Sequence, residues 1–536
     1  MNTLRDPSHI YTFLPFCGDN RSRQKMKAGY ILVFLFLSSS FLYAQKPVKA
    51  DTIVAGKGNK DKQLKQIKEN KVDLHSDSTG GNQPKKSALI DTTLQNKYGD
   101  LLNDDPEYNK KYPVWIPAVE VLGAVAFTWS VDRYLLNADY ARIGPSTWKD
   151  NLRKGWEWDT DRFGINFVGH PYSGTLSFNA GRSTGYTYYQ SFGFSTAGSL
   201  MWEYFGENTR PSYNDIINTP VSGAFLGEIL YRLSSNLLDD RTRGLERVSR
   251  ELAAGLINPV RGFNRLLQGK SFRRTNKEVY QKEPLNISLY AGVHNINNGK
   301  SPSSSEMVNI QLDYGNPFEK RSRKPFDFFK LRTDLNFGVG RKILDNVTGY
   351  GILFGKNRQL GKLAVLAGAF QYYDYWDNKA FELGTIGLGG GVFTKLPIGK
   401  TSELYTNIHF AGVPFAGNST QHGPDSSQVR DYNYGGGWEA KFESTINIGK
   451  FATASLVYYY YFIHTYIGQS GNNFIGLLKP RVTVRLARSL NVGYEHFIYS
   501  ASRYLVNAPE THTGSVEQKI FLLLFLEDKQ RKGRYN

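Results

Sequence analysis

Cysteine is nearly absent: a chain of 536 residues carries one, Cys17. Downstream of it there is no disulfide framework, thiolate metal site, Cys nucleophile or lipid-modified cysteine. The histidines His170, His294, His409, His422, His464, His496 and His512 lack metal-ligand spacing, so neither a zinc site nor any other cofactor is expected. The formal charge is +18, yet no aromatic-basic nucleic-acid motif accompanies it. Basic stretches such as "NPFEKRSRKPFD" and "LEDKQRKGRYN" read as solvated turns or a surface for acidic lipid. Apolar runs long enough to cross a membrane as a helix are also scarce. The first, Tyr30 to Leu37, is too short.

What is present begins with that run. A basic stretch, the apolar core and a small-residue exit ending at Ala44 have the layout of a secretory signal peptide. Met26 makes a natural start, so 1–25 reads as an upstream extension, 26–44 as the signal and 45–111 as a Lys-, Asn- and Ser-rich linker. Aromatics are abundant, with 34 Tyr and 33 Phe, and so is glycine, with 53.

From Pro284 the chain alternates with period two. In "FKLRTDLNFGVG", Leu331, Thr333, Leu335 and Phe337 share one face, and Arg332, Asp334 and Asn336 the other. Twelve strands are predicted, starting near Leu285, Met307, Phe328, Thr348, Lys362, Phe381, Glu403, Tyr432, Phe451, Phe474, Leu490 and Val516. Short connections interleave with mostly longer polar ones, and aromatics gather near strand ends. This is the signature of a transmembrane β-barrel over 284–529. A soluble β-sandwich is the alternative that the alternation leaves open.

Residues 112–275 follow another period and predict a helical module, so the fold class is α+β with helices first and the barrel second. "WIPAVEVLGAVAFTWSVDRYLL" reads as a buried helix, interrupted by Glu120 and Asp132. Thr219 before Pro220 reads as an N-cap with a first-turn proline, and Ser212 with Asp215 as a capping box. "GYTYYQSFGFSTAGSLMWEYFGE" is read as a helix, with a strand pair as the alternative. "GLERVSRELAAGLIN" is a further helix, stopped at Asn258-Pro259. Such a module would lie in the periplasm or plug the lumen.

The motifs "WEWDTDRFGINFVGHPYSG", "GSLMWEYFGE", "RPSYNDIINTPVSGAFLGE" and "NPVRGFNRLLQGK" occur in this order between Pro113 and Lys270. They resemble a domain-of-unknown-function family of secreted, outer-membrane-associated proteins of Gram-negative bacteria. The resemblance implies location and architecture; the family has no assigned activity.

His170 is the foremost chemical candidate, as a neutral imidazole acting as general base. Asp159, Asp161, Glu203 or Asp215 would orient it, and Ser173, Ser183 or Ser199 would serve as nucleophile. Ser183 sits in a Gly-x-Ser-x-Gly match, "GRSTG", without the strand that such an elbow needs. The bland alternative places Ser183 and His170 in turns. Asp159 and Asp161 could bind calcium, but helix capping or pairing with Arg153, Lys154 or Arg162 accounts for them better, and no metal is expected. Arg241 would grip lipid phosphate, and Arg261 and Asn264 are similar candidates. The plainer account puts Arg241 in a solvated or inter-module salt-bridge face, and Arg261 and Asn264 at a helix end, bonded back to carbonyls.

The reading carried forward is an outer-membrane barrel with a helical plug or periplasmic module. It would be a non-enzymatic protein that scaffolds, or that passes or binds a small or lipidic ligand. The alternatives are a lipid or lipopolysaccharide hydrolase centred on His170, and an adhesive surface protein. Expected partners are outer-membrane lipid or lipopolysaccharide and the barrel assembly machinery, without nucleic acid.

Overall fold

The computed structural model describes residues 104–297, 303–337, 343–378, 381–419, 432–506 and 509–527. The signal peptide, the upstream extension and most of the linker lie outside these residues.

The helical module has seven α-helices: α1 Trp115–Ser130, α2 Pro145–Arg153, α3 His170–Ser183, α4 Tyr188–Met201, α5 Tyr213–Leu237, α6 Gly244–Ile257 and α7 Pro259–Leu267. Three π-helical segments interrupt the pattern, at Val131–Leu135, Ile165–Gly169 and Trp202–Gly206. The linker's last residues already belong to the module. The Asp104 carboxylate accepts from the Tyr231 hydroxyl at 2.7 Å, and the Asp105 N–H bonds the Val279 carbonyl at 3.1 Å.

The barrel strands are β1 Leu285–Asn297, β2 Ser303–Tyr314, β3 Phe329–Asn336, β4 Leu344–Leu360, β5 Leu363–Asp377 and β6 Glu382–Ile398. They continue with β7 Ser402–Ser419, β8 Tyr432–Ile448, β9 Ala452–Ile467, β10 Gly471–Arg485, β11 Leu490–Leu505 and β12 Thr511–Leu526. Each pairs antiparallel with its chain neighbours, and β12 returns to β1 from Ile287↔Leu526 to Asn297↔Val516, so no edge is left unpaired. Tight turns at Gly361, Gly399 and Gly449, each with positive φ, mark one end.

Strand alternation sorts the barrel into two faces. Trp438 points outward and packs on Phe410, Tyr460 and Phe462, with Ile408, Ile520 and Leu522 also exposed on that face. Inward residues fill the lumen. Arg332 of β3 reaches across to Glu443 of β8 at 2.8 Å, and Arg481 of β10 to the Tyr290 hydroxyl of β1 at 2.9 Å. Farther from the tight turns, Trp376 of β5 meets Phe497 of β11 on the opposite wall, with ring centroids 6.3 Å apart. Leu383, Tyr461, Ile463 and Leu477 complete this buried apolar cluster. Between it and the tight turns lies a polar cavity of about 970 Å³, lined by residues such as Lys330, Glu443, Lys450 and Arg485.

The contacts between the helical module and the barrel fall on outward-facing strand residues. On β5, Tyr372, Asp374 and Trp376 point inward, and the intervening Gln371, Tyr373 and Tyr375 receive the module. Gln371 accepts from the Tyr188 hydroxyl at 2.5 Å, Tyr373 donates to the Phe167 carbonyl, and Tyr375 stacks on Phe163. Phe415, Tyr432 and Tyr434 likewise face outward onto Trp158 and Phe167. The barrel's own side chains cross the lumen at the Trp376–Phe497 level. The module's buried aromatics instead cover the outward wall. Glycine makes room for them: a Cβ on Gly384 or Gly417 would fall well inside contact distance of the Phe167 ring.

Other expectations change as well. Pro220 lies inside a helix of 25 residues that starts at Tyr213, and Thr219 is not its cap. The helix runs through the proline, and its first turns place Asn214, Asp215 and Asn218 in the buried interior, where Asn214 bonds Asp159 and Asn218 bonds the Asn166 carbonyl. The Tyr/Ser/Gly-rich segment, by contrast, is the helix expected and not the alternative strand pair (α4), capped by Thr187 and Gln190. Helix α1 is not buried; Trp115, Val119, Leu122 and Phe127 are exposed, because only one flank meets the module. The charges of "LLDDRTRGLERVSRE" are not all solvated either. Asp240 is 1% exposed and pairs with Arg247, Arg265 and Arg273. In "NPFEKRSRKPFD", Arg321 bonds Glu283 at 2.8 Å, so this turn is not merely solvated.

Candidate functional site

Residues from separate parts of the module meet around His170, the first residue of α3. Each π-helical segment serves this place: one leads directly into His170, one carries Asp132 and one carries Glu203. The wider turn of a π segment re-aims side chains, and such segments often occur at functional sites. Asp159 and Asp161 come from the irregular strip before α3. A bridge joins it to the start of α5, with the Glu157 N–H on the Pro211 carbonyl and the Tyr213 N–H on the Glu157 carbonyl, both 2.9 Å.

His170 Nε2 lies 3.5 Å from Asp215 Oδ1 and 3.8 Å from Asp161 Oδ2, and Nδ1 lies 3.4 Å from Thr219 Oγ1. Asp215 accepts from the Ser212 hydroxyl, and Glu203 accepts from the Ser212 N–H at 2.7 Å. Asp159 accepts from Asn214 at 2.6 Å and Asn166 at 2.9 Å. It also accepts from the Tyr434 hydroxyl of the barrel at 2.9 Å. Through these bonds Asp159 ties the site to the barrel wall.

Burial alone would lower the His170 pKa. The carboxylates of Asp215, Asp161, Asp159 and Glu203 outweigh it and hold the imidazole well above its usual range. Burial pushes Glu203 up to about 7 and Asp132 up to about 6, and it raises Asp215 and Glu207 well above the ordinary carboxylate range. The protonated imidazole is thus favoured within this cluster of buried acidic groups. A protonated imidazole has no free lone pair, so His170 would first have to lose a proton to act as the general base that the sequence suggested. Ligand atoms of Asp159, Asp161 and His170 lie within 4.8 Å of one another, a spacing that could hold a divalent cation if the imidazole gave up its proton.

Of the candidate nucleophiles, Ser173 lies one turn beyond His170 on α3, and Ser183 and Ser199 are engaged elsewhere. Ser183 stands at the other end of α3, about 20 Å away at 1.5 Å per residue. Its hydroxyl donates to the Asn179 carbonyl and accepts from Asn264 at 3.1 Å. Ser199 donates to the Asp215 carbonyl at 3.2 Å, so it supports the site through the backbone. Thr219, the hydroxyl nearest His170, is buried inside α5. Glu203 and Asp215 do belong to the site. Sequence reasoning passed over Asp132, Asn166, Ser212 and Asn214, although Asp132 in an apolar run was a visible signal.

The proposed phosphate grips are engaged internally. Arg261 is 4% exposed, donates to the Tyr231 carbonyl at 2.8 Å and stacks over that ring at 4.0 Å. Asn264 donates to Glu120 at 2.8 Å, and Arg241 pairs with Asp239 at 2.7 Å and Glu278 at 3.0 Å.

Residues 155–260 match a family described as a domain of unknown function, DUF3943. The matched span holds His170, Asp159, Asp161, Glu203 and Asp215 but not Asp132. No curated protein matches the sequence. Among solved structures, the NanC porin is 9% identical, with a TM-score of 0.26 over 44% of this chain and 98% of that one. The outer membrane channel DcaP of Acinetobacter baumannii is 7% identical, with a TM-score of 0.22 over 45% of this chain and 96% of that one. Outer membrane phospholipase A from Escherichia coli is 7% identical, with a TM-score of 0.24 over 46% of this chain and 93% of that one.

Proposed function

We propose that the chain is a non-conducting outer-membrane protein whose barrel is a scaffold holding the helical module against its lipid-facing wall. The observation that carries this reading is the filled lumen, where Trp376 and Phe497 meet from opposite walls and Lys479 lies over both rings at 4.7 and 4.3 Å. A pathway for solute would need these side chains displaced together. The cavity of about 970 Å³ beside the tight turns is then a blind vestibule, able to hold a small ligand without passing it. The His170 cluster, bonded to Tyr434, serves in this reading as the polar joint between module and wall rather than as a hydrolase centre.

The test is purification of the full chain from outer membranes and its insertion into planar bilayers. The expected result is heat-modifiable gel mobility with no conductance steps. Stable unitary steps would overturn the reading. Deleting residues 112–275 is expected to open no channel, since these residues do not occupy the lumen.

A further inference from the structure

We infer that the free face of the helical module is itself immersed in lipid, making one continuous acyl-facing surface with the barrel. The inference rests on the reading of the barrel as membrane-spanning. Helix α6 turns Leu245, Val248, Leu252 and Leu256 outward, at 84, 52, 58 and 78% exposure, and turns Arg247 and Ala254 inward. Steps of three and four residues put the four apolar side chains within an arc of about 80° at 3.6 residues per turn. On α7, Phe263, Leu266 and Leu267 are exposed, and Arg261, Asn264 and Arg265 are buried. The two helices cross tightly, since a Cβ on Gly262 would fall 2.7 Å from the Gly255 Cα. The Asn264–Glu120 bond joins α1, which exposes Trp115, Val119 and Leu122.

A water-facing surface has its charges outside. Here the arginines of α7 point in and the leucines point out, the reverse of a solvated helix pair. Exposed apolar patches beyond a few hundred Å² on a monomer mark a partner or a membrane. The barrel decides for lipid. On β6 the module covers Ile386, and the next outward side chain along the strand, Leu388, is bare; on β7 it covers Phe415, and Phe410 is bare. The covered wall therefore runs into the exposed belt without a polar border. None of these helices is long and apolar enough to cross a membrane, so they would lie along the barrel with the apolar stripe in the acyl region.

Cysteine scarcity makes the test clean. In a Cys17→Ser background, Leu252→Cys, Leu256→Cys and Ile520→Cys each carry one environment-sensitive fluorophore, with Ile520 marking the outward face of β12. The full chain is reconstituted in phosphatidylcholine vesicles with doxyl-labelled lipid, or with iodide as aqueous quencher. The expected result is doxyl quenching at 252 and 256 within about two-fold of that at 520, with little iodide quenching. Iodide quenching at 252 and 256 with lipid quenching at 520 would overturn the inference and leave the barrel reading standing. Protection at 252 and 256 from both quenchers would also overturn it, in favour of a covering protein surface such as a second copy. Absence of lipid quenching at 520 would bring down the barrel reading itself.

Discussion

Replacing Phe167 with Ala should detach the module from the barrel without opening the barrel. The ring is fully buried, stacked on Phe415 at 5.7 Å and flanked by Phe163 at 4.9 Å, and its cradle is made by Gly384 and Gly417. A buried Phe→Ala change costs about 3–5 kcal/mol, which lowers the docked-to-undocked ratio by roughly 10²- to 10³-fold or more. The ladder hydrogen bonds of β6 and β7 do not involve this side chain, so heat-modifiable mobility should persist. The readout is trypsin cleavage within residues 145–162, whose rate follows the open population when reclosing is fast. Gly417→Ala supplies the opposite perturbation. Its Cβ would collide with the ring, at a cost of about 1–3 kcal/mol for overpacking. In the Phe167→Ala background the ring is gone, and the same change should cost close to nothing. Additive effects in this double-mutant cycle, or unchanged protease resistance of Phe167→Ala, would refute the reasoning.

Three further outcomes follow from the same contacts. The module should lose stability as pH rises. The raised His170 pKa gives stability that is complete below the unfolded value near 6.5 and fades as pH passes the folded value. Burial of Glu203, which lifts its pKa from 4.5 to about 7, adds a loss of about 3 kcal/mol between those values. Glu203→Gln should flatten the pH 5–7 part of the protease-resistance profile, and an unchanged slope would contradict this assignment. Arg265→Ala leaves Asp240 and Glu251 short of a buried partner and should cost about 3–5 kcal/mol in the same assay, whereas a loss below about 1 kcal/mol would mean that the network is solvated. Ser183→Ala should leave any lipid turnover by the protein unchanged, because its hydroxyl bonds Asn179 and Asn264 far from His170; lost turnover with intact folding would reinstate the elbow.

The barrel was legible in the sequence because period-two alternation is local. Leu331 and Arg332 declare opposite faces without reference to the rest of the chain. Placement of the module was not legible, since it depends on which outward positions meet lipid and which meet protein. Gly384 and Gly417 look like strand glycines, and only the Phe167 ring gives them meaning. The His170 cluster was half legible. The sequence singled out Asp159, Asp161, Glu203 and Asp215, yet it offered Ser183 as their partner, because a short motif says nothing of a helix that carries it about 20 Å away. Arg261 and Arg241 looked alike in sequence. One is sealed under Tyr231 and the other is about two-fifths exposed, a difference set by tertiary packing alone.

Photo-crosslinking from two adjacent positions of β7 tests the central claim most directly. A benzophenone amino acid replaces outward-facing Phe415 in one variant and inward-facing Ala416 in another, both in native outer membranes. The account predicts a crosslink from position 415 to the segment spanning Trp158 to Phe167, and none from 416 to the helical module. A crosslink to the module from 416 and not from 415 would place the helices in the lumen and contradict the account.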